Sequence, residues 1–98
     1  MEKRTPHCRL SLAKTLIAEG KVRITYGALE GAKRLGLDRR GILAVLLALE
    51  PSDFTKSMTT YADHTIWQDV YCPMSLVGDI YLKLTVIEDV LVVSFKEL

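Results

Sequence analysis

The sequence predicts an α+β protein, with N-terminal helices laid on one face of an antiparallel sheet of four or more strands. Two observations carry this expectation. Apolar residues recur with a helical period as far as Pro51 and with a period of two beyond it. The second half then divides into four alternating runs separated by short turn signals, the pattern of a β-meander. With 98 residues, 49% hydrophobic and 26% charged, the chain suits one domain around one core and is too apolar to be disordered.

The elements follow in order. Thr5 is placed to cap a first helix, with Pro6 in its opening turn and Gly20 closing it. Leu10, Ala13, Leu16 and Ile17 form one stripe of that helix. The β-branched run 22–25 reads as a small strand, and a second helix runs from Tyr26 to Leu35, ended by Gly36. Asp38 caps a third helix in which Ile42, Val45, Leu46 and Leu49 keep helical spacing. Leu43 and Leu47 widen its apolar surface, so it is expected to be deeply buried, and Pro51 stops it.

Residues 53–61, 65–72, 79–87 and 90–96 read as the four strands. A two-residue turn at Glu88 and Asp89 sets Ile87 against Val90, and therefore Tyr81 against Lys96 and Lys83 against Ser94. Ile80, Leu82, Leu84 and Val86, with Leu91, Val93 and Phe95 across from them, then form the core side. A three-residue loop at Ala62, Asp63 and His64 pairs Tyr61 with Thr65 and Met58 with Gln68, leaving Lys56 one step along the same face. The connection 73–78 leaves the register between the two hairpins open.

Composition excludes several functions. The longest apolar run, Ile42–Leu49, is far too short to span a bilayer, and Lys14 interrupts the only apolar stretch resembling an export signal. Cys8 and Cys72 are accordingly expected as reduced thiols in the cytoplasm. His7, His64 and the two cysteines lack metal-ligand spacing, so neither a metal nor a cofactor is expected. Gly27, Gly31 and Gly36 lie within or just after a helix pattern rather than in a phosphate loop, and Trp67 is read as a core residue. The net charge of +1 conceals a basic half: residues 1–40 hold ten Lys or Arg against four Asp or Glu, and residues 41–98 hold three against eight. Such a half can steer a polyanion or dock on an acidic partner, although taken alone it reads more simply as a set of solvated helix faces.

What stands out is the polar side of the sheet. Lys56, Gln68, Tyr81, Lys83 and Lys96 sit on strands built mostly of apolar and hydroxyl residues. RNA cleavage requires removal of the ribose 2′-proton, stabilisation of charge on the phosphorane and protonation of the leaving 5′-oxygen. A cation beside a phenol favours its ionised form, lysines hold phosphate as point charges, and Gln68 can orient an oxygen or a base edge. The plainer reading is that tyrosine and lysine are common on exposed strands, where lysine also discourages edge pairing.

The opening MEKRTPH, the segment DFTKSMTTYADHTIWQDVY and the ending YLKLTVIEDVLVVSFKE resemble the motility quorum-sensing regulator (MqsR) family of toxins. The resemblance runs the length of the chain. It implies a RelE-like fold and a ribosome-independent mRNA interferase that cleaves at GC-containing triplets such as GCU, halting translation. It also implies inhibition by a cognate MqsA-like antitoxin with a zinc-binding domain and a helix-turn-helix domain, operator DNA being contacted only through that partner. Family functional positions fall on Lys56, Gln68, Tyr81 and Lys96, with Met58 in the same motif. Two alternatives stand beside this one: a non-catalytic module binding nucleic acid or a partner, and a transcription cofactor acting only through the antitoxin.

Overall fold

In the computed structural model, which describes residues 1–98, seven strands and three helices follow one another along the chain. They are β1 (Glu2–Lys3), α1 (Leu10–Ala18), β2 (Val22–Ile24), α2 (Tyr26–Arg34), α3 (Arg39–Ala48), β3 (Phe54–Thr59), β4 (Trp67–Tyr71), β5 (Met74–Ser75), β6 (Gly78–Val86) and β7 (Val90–Glu97). The strands lie in the order β1-β3-β4-β6-β7-β2, with β5 paired to β6 off this path. The expected four-stranded antiparallel meander is its centre. β1 adds an antiparallel edge and β2 a parallel one. The helices precede the meander, as expected for an α+β fold.

Local chemistry explains the helices. Thr25 and Asp38 cap α2 and α3 by accepting the N–H of Ala28 and of Gly41. Gly20 and Gly36, both at φ +79°, close α1 and α2 in Schellman turns, with Lys21 N–H bonding back to Leu16 and Leu37 N–H to Ala32. The first helix begins later than Thr5 and Pro6 suggest: Arg9 is its N-cap, without a side-chain cap. The reason lies across the sheet, where the Asp69 carboxylate accepts the backbone N–H groups of His7 and Cys8 at 3.0 and 3.1 Å. That tether holds 7–8 against β4 and outside any helix.

The core unites the inner stripes of the helices with one face of the sheet. Ala13, Ile17, Ala28, Ala32, Ile42 and Leu46 meet Tyr71, Ile80, Leu82, Leu84, Val90, Val92 and Phe95. Packing of α2 on β7 is unusually close: a Cβ on Gly31 would stand 1.9 Å from the Phe95 carbonyl oxygen. Only hydrogen fits there. The third helix is not deeply buried all round. Ile42 and Leu46 face the core, but Leu47 is 45% exposed because no further layer covers the helix.

The closing hairpin corrects the expected turn. Val86 pairs with Val90, so the turn holds three residues, and an irregularity between Lys83 and Leu84 makes Val93 the extra residue of a bulge. Beyond it the expected pairing holds: Tyr81 faces Lys96 and Lys83 faces Ser94. Between bulge and turn the alternation of β7 is reversed. Val90 and Val92 are buried there instead of Leu91 and Val93, with Phe95 on the core side as expected. The β3–β4 hairpin pairs Met58 with Gln68, but its ladder ends at Thr59 and Trp67. Tyr61 and Thr65 therefore do not pair. The connecting turn is held by Thr60 and Asp63 instead.

Candidate functional site

Register decides whether the polar residues share a face. Lys56 pairs with Val70, Val70 with Lys83, and Lys83 with Ser94, a single row across β3, β4, β6 and β7. Paired residues point the same way, and residues two apart along a strand share a face. Met58, Gln68, Tyr81 and Lys96 therefore join that row on the side of the sheet away from the helices. The junction of the two hairpins, open in the sequence, thus brings all six residues to one surface. Val70, between its two lysine neighbours, is buried within the row (1% exposed).

The tightest grouping surrounds Tyr81. Lys96 reaches its ring from the opposite strand, with Nζ 5.2 Å from the ring centroid. Lys83 reaches it from two residues along β6 at 5.8 Å. Both are within cation–π range. Lys83 and Lys96 make no ion pair, so their ammoniums are open to an incoming anion. The phenol of Tyr81 makes no hydrogen bond to protein and is likewise available.

Lys56 stands apart from that group. Two strand spacings of about 4.8 Å put its backbone about 10 Å from that of Lys83. Its Nζ donates to Glu2 Oε1 at 3.0 Å. Glu2 belongs to the two-residue strand β1 and pairs with Met58; the Lys56 hydrogen bond and charge hold its carboxyl below the usual carboxylate range. Sequence reasoning missed Glu2, since two residues are too few to display a period. Gln68 lies beside Met58 and Lys83 in a groove of about 460 Å³. The remaining walls are Met1, Glu2, Thr59 at the end of β3 and the turn residues Thr60, Tyr61 and His64. Met1 is fixed there by its α-ammonium, which donates to Thr59 Oγ1 at 3.0 Å.

The opposite face carries different chemistry. Asp69 is turned inward, as strand alternation requires, and is 5% exposed. Burial pushes the phenol of Tyr71 up to about 12 and raises the Cys8 thiol, the nearby Asp69 charge adding to both. These groups are neutral at physiological pH and belong to the structure of the inner face. Both cysteines are free. Trp67 is not part of the core cluster. It is half-buried at the end of β4, stacked on His7 at 5.6 Å between ring centroids, with Lys3 Nζ 4.1 Å from its ring.

The candidate site therefore offers one phenol between two ammoniums, a third ammonium ion-paired to a carboxylate, and an unengaged amide at a groove. Such donors suit a phosphodiester and supply proton-transfer groups, whereas a magnesium site would require several oxygen ligands together.

Two comparisons with known proteins bear on the chain as a whole. Residues 5–97 match the family described as motility quorum-sensing regulator, toxin of MqsA. The chain is also 62% identical over 97 residues to the mRNA interferase toxin MqsR of Escherichia coli (strain K12), an alignment covering 99% of each protein.

Proposed function

The chain belongs to the motility quorum-sensing regulator toxins, and from that premise we propose that it is an endoribonuclease that cuts mRNA on the exposed face of its sheet. The observation that carries the reading is Tyr81 flanked by the ammoniums of Lys83 and Lys96. In this reading the phosphate to be cleaved sits over that trio. The ammoniums balance the charge that grows on the non-bridging oxygens as the phosphorane forms, where preorganised donors are most effective. The ribose 2′-oxygen loses its proton and bonds to the neighbouring phosphorus, the bond from phosphorus to the 5′-oxygen breaks, and that oxygen is protonated, leaving a 2′,3′-cyclic phosphate and a 5′-hydroxyl. Tyr81 exchanges a proton with these reacting oxygens. Lys56 holds an adjoining phosphate once RNA displaces Glu2. Gln68 orients the nucleotide from the groove, with Met58 beside it.

The chain's own groups thus provide charge stabilisation and proton transfer without a metal-bound water. We assign no cofactor to the reaction. Cleavage within GC-containing triplets of the GCU type, arrest of translation and a cytoplasmic location complete the proposal. Neutralisation by a cognate antitoxin with zinc-binding and helix-turn-helix domains belongs to it as well, with operator DNA reached only through that antitoxin. No helix of the chain is long and apolar enough to cross a membrane.

Incubation of purified protein with a synthetic RNA containing one GCU, with and without EDTA, tests the reading. Equal cleavage in both tubes, with no cutting of the matching DNA, supports it. Loss of cleavage in EDTA and its recovery on adding magnesium would overturn the mechanism.

A further inference from the structure

The groove at the β3–β4 turn holds more than Gln68 and Met58. Its floor is Met58, Gln68 and Lys83, all on the proposed catalytic face. Lys83 belongs at once to the groove and to the Tyr81 trio, so the two are continuous. Tyr81 and Lys83 are two residues apart on β6, or about 7 Å along the strand, so the groove begins within about 7 Å of Tyr81. Along its turn-side wall stand two aromatic rings with little else around them: Tyr61 is fully exposed and His64 is exposed as well.

An exposed tyrosine is ordinary when it covers apolar surface or hydrogen-bonds a neighbour, and Tyr61 does neither. The turn that presents it is nevertheless well built. Thr60 Oγ1 donates to the Asp63 carbonyl and accepts the Asp63 N–H, while Asp63 Oδ1 accepts both the N–H and the hydroxyl of Thr65. The Thr65 bonds also hold the Asp63 carboxyl below its ordinary range. The backbone carrying both rings is thus fixed while the rings themselves face solvent. That arrangement matches a stacking platform for unpaired bases beside a cationic track.

We propose that this groove is a nucleobase subsite: it receives the base adjoining the cleaved phosphodiester of single-stranded RNA, stacked on Tyr61 and His64, with the Gln68 amide reading its edge. The ligand class is a base of unpaired RNA, and the subsite makes the turn a determinant of sequence preference. This rests on the reading of the Tyr81 face as the cleavage site. The role of the turn is separable from it, because neither ring touches the Tyr81 trio.

The test is a binding scan. A short single-stranded RNA with 2′-deoxyribose throughout its GC triplet, so that it binds without reacting, is titrated by fluorescence anisotropy with an abasic residue at each position in turn. The wild-type protein should lose affinity on the order of 10-fold at one position near the triplet, the usual effect of removing one stacked base. In Tyr61→Ala and His64→Ala that loss should shrink or vanish, whereas Tyr61→Phe should behave as wild type. Both side chains are exposed, so the variants should fold normally. A scan in which no position depends on Tyr61 or His64 would overturn the subsite. If the wild type still cuts RNA and Tyr81→Phe does not, that failure leaves the cleavage reading standing.

Discussion

Replacing Tyr81 with phenylalanine removes one oxygen from the centre of the proposed site and little else. The ring that lies under Lys83 and Lys96 at 5.8 and 5.2 Å is retained, so the placement of both ammoniums should persist. The lost hydroxyl makes no hydrogen bond to protein, and folding stability should change by no more than about 0.5 kcal/mol. Substrate affinity should also hold, because the phosphate contacts come from the lysines. Proton transfer is what disappears. A positioned acid or base contributes about 10²-fold or more to the rate, equivalent to about 2.7 kcal/mol in the barrier. The expected signature is a fall in kcat of that size with KM nearly constant. Single-turnover cleavage of a fluorogenic RNA, alongside thermal melting of both proteins, reads the two quantities separately. A folded variant that cuts at the wild-type rate would refute the assignment of Tyr81 to proton transfer.

The remaining predictions concern the lysines, the core and the inner face. Lys96→Ala should lower kcat/KM by about 10²–10³-fold through kcat, the cost of losing one well-placed donor, whereas Lys56→Ala, which releases an adjoining phosphate, should lower kcat/KM chiefly by raising KM. Lys14→Ala, on α1, should leave kcat/KM unchanged; equal damage from Lys14→Ala in the same assay would move the site to the helical half. Gly31→Ala should destabilise the fold by about 1–3 kcal/mol or more in urea denaturation, since its Cβ would collide with the Phe95 carbonyl. A neutral effect would mean that α2 can lift off β7 at no cost. Tyr71, whose phenol is pushed up to about 12 from an ordinary value near 10, favours the neutral form when folded. Its contribution is complete below about pH 10 and is lost as pH rises towards about 12, at a slope approaching 1.4 kcal/mol per pH unit. Tyr71→Phe should flatten that part of the stability profile, and an unchanged slope would contradict the assignment.

The fold is legible in the sequence where periodic pattern and local chemistry specify structure, and not where a bulge or a distant partner does. The helices ending at Gly20 and Gly36 and the capping by Asp38 follow from local chemistry that the structure repeats. The pairing of Tyr81 with Lys96 was legible too, though through two features that cancel. A three-residue turn shifts the register by one, and the bulge at Val93 shifts it back. Alternation alone cannot detect a bulge, so it points Leu91 and Val93 inward where the structure buries Val90 and Val92. The Asp69 tether on His7 and Cys8 and the β1 edge lie beyond such reasoning, because each depends on partners about sixty residues away. Glu2 escaped notice for that reason. The one-face arrangement of Lys56, Gln68 and Tyr81 needed the β4–β6 register, which the connection 73–78 does not encode.

The account stands or falls on whether the RNA's own 2′-hydroxyl is the nucleophile at this face. The direct measurement is the chemistry of the cut ends, read by mass spectrometry on a GCU-containing RNA and on the same RNA with one 2′-deoxyribose at the cleaved residue. The account predicts a 2′,3′-cyclic phosphate, or the 3′-phosphate derived from it, facing a 5′-hydroxyl, with no reaction in the deoxy-substituted strand. A 5′-phosphate product, or cleavage that continues through the deoxyribose, would contradict it.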